Sequence, residues 1–174
     1  MQAFNRKDVS REDFFRLIGL AVPDGEITYT WSALVNAAER IHKQDGRVFL
    51  RQACAEGDLG NARIALGEFE GSGAVSFGDF LERKLDPARS PQWHHDVILV
   101  ERWVDLDDSP SVVMDIRGGR VRFVAHTTQR FGKRGGYVGA EIHSRHDGCV
   151  LERLLFYAKQ VAQLWINQGL GDVG

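Results

Sequence analysis

The chain has 174 residues, a formal charge of −2 and a pI near 6.3, which suits one domain or two small lobes with a core that needs no disulfide or metal staple. The near-balanced charge excludes nucleic acid or an anionic membrane as a partner demanded by composition. No stretch approaches the roughly 18 apolar residues that span a bilayer, and the first residues lack a signal peptide's apolar core, so the expectation is a soluble, cytoplasmic protein.

In chain order, residues 10–19 open on Ser10 with acids in the first turn and read as a capped helix ending at Gly19. A Pro-Asp-Gly turn at 23–25 leads to a short strand around Ile27 and Tyr29. Residues 30–43 form an amphipathic helix whose apolar stripe is Trp31, Leu34, Val35, Ala38 and Ile41. Asp45-Gly46 turns the chain into a strand around 48–50. A strand at 62–66 follows the glycine-bearing loop, and 67–73 reads as loop.

Residues 76–85 are a second capped helix, broken by the prolines at 87 and 91. Residues 96–101 are a continuous apolar strand, the pattern of a strand buried on both faces. Gly118-Gly119 joins strands at 111–116 and 120–125 into a hairpin, with a third strand at 136–142. A long helix with a wide apolar face (Leu151, Leu154, Leu155, Ala158, Val161, Ala162, Leu164, Trp165) covers 150–168. Cys54 and Cys149 make no metal-ligand or redox spacing and read as two buried thiols in a reducing cytoplasm.

Three segments carry candidate chemistry. In the run from Arg47 to Leu66, Gly57 and Gly60 allow a tight path that exposes backbone N–H groups to an anion, and Arg51 and Arg63 are cations able to clamp phosphates bidentately. The plainer reading is a hairpin loop with two solvated arginines. It is neither a Walker loop nor a dinucleotide fingerprint. Glu101, ending the apolar strand beside Trp103 and Val104, suits an adenine slot, with the acids 105–108 placed for ribose hydroxyls; taken alone, the segment is better read as a strand end with a solvated acidic turn. Residues 117–134 are basic, with Arg117, Arg120 and Arg122 suiting a hairpin edge and Arg130 to Arg134 suiting an anionic substrate. The histidines at 94, 95, 126, 143 and 146 fit surface or loop positions and supply no zinc spacing.

In order, these pieces resemble the ATP-grasp superfamily of carboxylate–amine ligases, in its peptide-ligase-like branch. Asn5-Arg-Lys7 and Gly19-Leu-Ala-Val-Pro23 resemble its opening, Arg51 through Gly57-Asp-Leu-Gly60-Asn61 its strand and lid loop, and Val97-Ile-Leu-Val-Glu101 its hinge strand. Ser109-Pro-Ser-Val, His126-Thr-Thr-Gln129 and Gly136-Tyr-Val-Gly139 resemble its next sheet.

The resemblance implies an α+β fold of two lobes with antiparallel sheets and a nucleotide cleft between them. The parts would be an entry helix at 1–21, a lid lobe at 22–101 and a partial second lobe at 102–174. It implies ATP as cofactor, with Arg51, Glu56, Gly57, Gly60, Asn61 and Arg63 around the phosphates. Arg51 stands where lysine is usual. Glu101 and the backbone of Arg102 would meet adenine, Val104 would pack on the base and Asp108 would take the ribose. Arg130 and Arg134 would hold a substrate carboxylate or acyl phosphate. The family's Mg2+ ligands, an acid and a Glu-x-Asn pair, have no counterpart in the sequence. The resemblance therefore implies a truncated ligase completed by a further segment or another copy, or a non-catalytic nucleotide-binding module. A third alternative is a protein-interaction domain using 117–134.

Overall fold

The computed structural model describes residues 19, 22–55, 60–105, 108–131, 137–142, 148–167 and 169. The helix expected at 10–19 therefore lies outside the described residues, apart from Gly19. Residues 22–55 and 60–105 belong to one compact unit, and 108–131, 137–142 and 148–167 to a second.

The first unit runs β1 (Gly25–Thr28), α1 (Trp31–Asp45), β2 (Val48–Gln52), β3 (Asn61–Ile64), α2 (Glu68–Gly71), α3 (Phe77–Leu85), α4 (Gln92–His95) and β4 (Ile98–Arg102). Its sheet has the order β1-β4-β2-β3 with every pairing antiparallel. The Thr30 hydroxyl caps α1 by accepting from the Ala33 N–H at 3.2 Å. Gly46, left-handed at φ 69°, ends it by donating to the His42 carbonyl. Ser76 caps α3 in the same way through the Asp79 N–H.

The register puts alternate residues on alternate faces. Val48, Leu50, Ile64, Ile98 and Val100 share one face and form the core with Leu34, Ala38 and Ile41 of α1 and Phe77, Phe80 and Leu81 of α3. Each such side chain larger than alanine contributes about 1.5–3 kcal/mol of burial, so these two helices fix the sheet's covered face.

Two short helices depart from the sequence expectation. α2 replaces the expected loop because the Glu68 carboxylate accepts from the Ala65 N–H at 2.9 Å and closes a turn. α4 follows directly on Pro91, whose φ of −61° is already helical, and it buries Trp93. The strand expected to reach Leu66 stops at Ile64, and Leu66 is exposed. β4 is buried from Ile98 to Glu101, as its apolar run predicts.

The second unit holds β5 (Pro110–Arg117), β6 (Arg120–Phe131) and β7 (Tyr137–Ile142), antiparallel in that order, and α5 (Gly148–Asn167). β6 extends beyond the expected end at 125 because it pairs on both sides, with Thr127 and Thr128 buried at the junction. Arg120 and Arg122 lie on the stretch of β6 that pairs with β5 alone, opposite Arg117 and Asp115, and like Arg117 they are exposed, as expected of a solvated hairpin edge. On α5 only Ala162 is buried, and the rest of the expected stripe is half-buried. Cys54 and Cys149 are both exposed, which overturns the expectation of buried thiols. Cys54 sits in the turn after β2, and Cys149 in the first turn of α5, where neither side chain is in a core.

Candidate nucleotide site

The sheet face opposite the helices carries the polar side chains. Phe49 and Arg51 of β2 alternate with the core residues Val48 and Leu50. Their register partners are Glu101 and Leu99 on β4 and Arg63 and Asn61 on β3. Four of the sequence-predicted residues (Arg51, Asn61, Arg63 and Glu101) are thus brought onto one face by strand pairing alone.

Glu101 is 2% exposed, and its carboxylate is 2.5 Å from the Arg51 guanidinium. The two sit diagonally, since Glu101 lies opposite Phe49 and Arg51 two residues further along. A carboxylate this deep needs a charge partner, because an isolated buried ion costs several kcal/mol. The Arg51 Nε–H is also buried and has no acceptor among the described residues. It is a donor that a phosphate oxygen would satisfy.

Arginines and rings alternate across this face. Arg51 and Arg63 lie 5.9 and 5.6 Å from the Phe49 centroid, Arg63 lies 5.2 Å from the Trp103 ring and Arg47 5.9 Å from it. Asp105 accepts both of its bonds from Arg47, at 2.7 and 2.8 Å. The sequence alone pointed to Trp103 only as a wall of an adenine slot and gave Arg47 and Phe49 no role. The period-two spacing of 47, 49 and 51, and of 101 and 103, was the signal that aligned them.

Between β2 and β3 the loop is anchored by the Gln52 N–H donating to the Gly60 carbonyl at 2.8 Å. Gly60 has φ +78°, and a Cβ there would stand 2.3 Å from Gln52 Oε1 and 2.5 Å from the Ala55 Cβ. Only glycine fits this turn. Glu56 and Gly57, the other expected lid residues, lie outside the described residues.

The remaining predicted residues are placed as follows. The Arg102 side chain faces Asp45 at 3.3 Å, and its backbone N–H donates to the Asp24 carbonyl at 2.7 Å. Val104 is half exposed. In the second unit, Asp108 accepts from the Ser109 N–H at 2.9 Å. Arg130 forks onto Glu141 of β7, and that hydrogen bond raises its already high pKa. Arg134 lies outside the described residues. Among the described residues no three His, Cys, Asp or Glu side chains converge where a metal could sit. No helix of the described residues is long and apolar enough to cross a membrane.

The architecture is an α+β, ATP-grasp-like fold with two antiparallel sheets. Its solved likenesses are ligases and synthetases of that superfamily. They include D-alanyl-alanine synthetase A of Vibrio cholerae (TM-score 0.64, 12% identity, 95% of this chain and 47% of that one). A carboxyaminoimidazole ribonucleotide synthase of Aspergillus clavatus complexed with ATP is also similar (TM-score 0.62, 12% identity, 90% and 37%), as is the VanG D-Ala:D-Ser ligase of Enterococcus faecalis (TM-score 0.60, 14% identity, 91% and 44%). The chain spans less than half the length of these structures. No protein-family model and no curated protein sequence matches it.

Proposed function

We propose that this chain is the nucleotide-binding part of an ATP-dependent carboxylate–amine ligase. The observation that carries the reading is the buried Glu101 carboxylate, presented with Arg51 on the helix-free face of the first sheet. Glu101 would accept from the adenine amino group, which guanine lacks at that position. Arg51 and Arg63 would hold the phosphates, and the turn fixed by Gly60 would bring backbone N–H groups to them. Val104 and Asp108 are assigned to the base and the ribose, and Arg130 and Arg134 to the substrate carboxylate. ATP, when bound, supplies the phosphoryl group that activates a carboxylate as its acyl phosphate for attack by an amine. The setting consistent with this reading is the cytoplasm.

The lack of a converging acid cluster among the described residues favours a second reading, binding without turnover. Calorimetry with ATP and GTP tests the shared core of both. ATP should bind in preference to GTP, and Glu101→Gln and Arg51→Ala should each weaken ATP by about tenfold or more. Equal binding of the two nucleotides, or none, would overturn both readings. ADP release with magnesium and a carboxylate separates the ligase from the binding module.

A further inference from the structure

On the helix-covered side of the first unit, away from Arg51 and Glu101 in the register, a cavity of about 600 Å3 opens at the C-terminal end of α1. That volume suits a small organic ligand. Three rings line it. His42 meets Phe77 at 5.3 Å and Phe69 at 6.1 Å edge-on, and Phe69 meets Phe77 at 5.1 Å. Leu66, 75% exposed, adds an apolar rim.

His42 is 7% exposed, and its Nε2 is buried with no partner among the described residues. Native proteins rarely leave such an atom unsatisfied, because it costs about 1–3 kcal/mol. With the proton on Nδ1, Nε2 is an unsatisfied acceptor on a residue that lines the cavity.

The charge around the cavity is negative. Lys43 is neutralised by Glu39 at 2.7 Å, and Asp45 is engaged by Arg102. Glu70 lines the cavity, is exposed and has no ion-pair partner among the described residues. The last carbonyls of α1 add the negative end of the helix dipole, about half a charge. Aromatic rings, a carboxylate, a helix C-terminus and a nitrogen acceptor together are the features that recognise a cation on an apolar body.

We propose that this cavity binds an organic cation of the arylalkylamine class, at a site distinct from the nucleotide residues. Titration calorimetry on the full chain with 2-phenylethylamine, 2-phenylethanol and 3-phenylpropionate tests it. The amine should bind saturably and at least about tenfold more tightly than the alcohol or the acid. Glu70→Gln, at an exposed position, should weaken it by about threefold to fivefold. Long-range 1H–15N spectra should show the His42 Nε2 resonance moving in proportion to saturation. The affinity should be unchanged in Glu101→Gln, which separates failure here from failure of the nucleotide reading. No saturable amine binding, equal binding of the three probes, an unmoved His42 or an unchanged affinity in Glu70→Gln would overturn the proposal.

Discussion

At the residue scale, the Arg51–Glu101 pair sets both stability and recognition. Arg51 is 30% exposed while Glu101 is 2% exposed, so removing the arginine strands the more buried charge. Arg51→Ala should destabilise the chain by about 3 kcal/mol, the low end for a broken buried pair, whereas Arg51→Lys should cost less because an ammonium still faces the carboxylate. Urea unfolding of the two variants and the parent measures the difference; equal midpoints would show that the pair contributes nothing. Gly60→Ala is a second case. Its φ of +78° costs a Cβ-bearing residue about 1–2 kcal/mol, and the Gln52 and Ala55 side chains must also give way. The same denaturation assay should place this variant below the parent. The sequence named Arg51, Glu101 and Gly60 separately. It did not show that Arg51 meets Glu101, because that contact depends on β2 pairing with β4 across some 50 intervening residues. Local spacing carries no information about which strands become neighbours.

At the element scale, short-range chemistry was the legible part. Ser76 acts as a cap and the apolar stripe of α1 faces the core, as the sequence indicates, because both features lie within one or two helical turns. α2 was missed because its stability comes from tertiary contacts. The Glu68 carboxylate closes the turn onto Ala65 and also meets Lys84 of α3. Burial alone would raise the Glu68 pKa. The hydrogen bonds from Lys84 and the Ala65 N–H outweigh it, and the net shift is below the ordinary value of 4.5. The sign follows from linkage. A depressed folded-state pKa contributes stability that is present above the unfolded value and lost as pH falls through the folded one. Thermal melts should therefore lose stability as pH drops below about 4.5. Glu68→Gln should flatten that acid limb while lowering stability at neutral pH. An identical slope in both proteins would remove Glu68 from the acid response.

At the scale of the whole molecule, the order of motifs along the chain was enough to anticipate an ATP-grasp-like fold, although its solved likenesses share only 10–16% of their residues with it. What the sequence did not show is how unevenly the core is divided. Outside Ile116 and Ala162, every fully buried apolar side chain among the described residues belongs to the first unit. β4 is central in its sheet and buried from Ile98 to Glu101, with β2 beside it. β7 is an edge strand exposed at every residue but Gly139. A backbone hydrogen bond opens at a free energy set by the apolar contacts that must separate with it. Native-state hydrogen exchange should thus leave the paired amides of β2 and β4 protected at least about a hundredfold longer than those of β7. α5, with one buried residue in its 20, should exchange on the fast side of α1. Comparable protection of β7 and β4 would mean that the second unit is stabilised by something other than its own buried side chains.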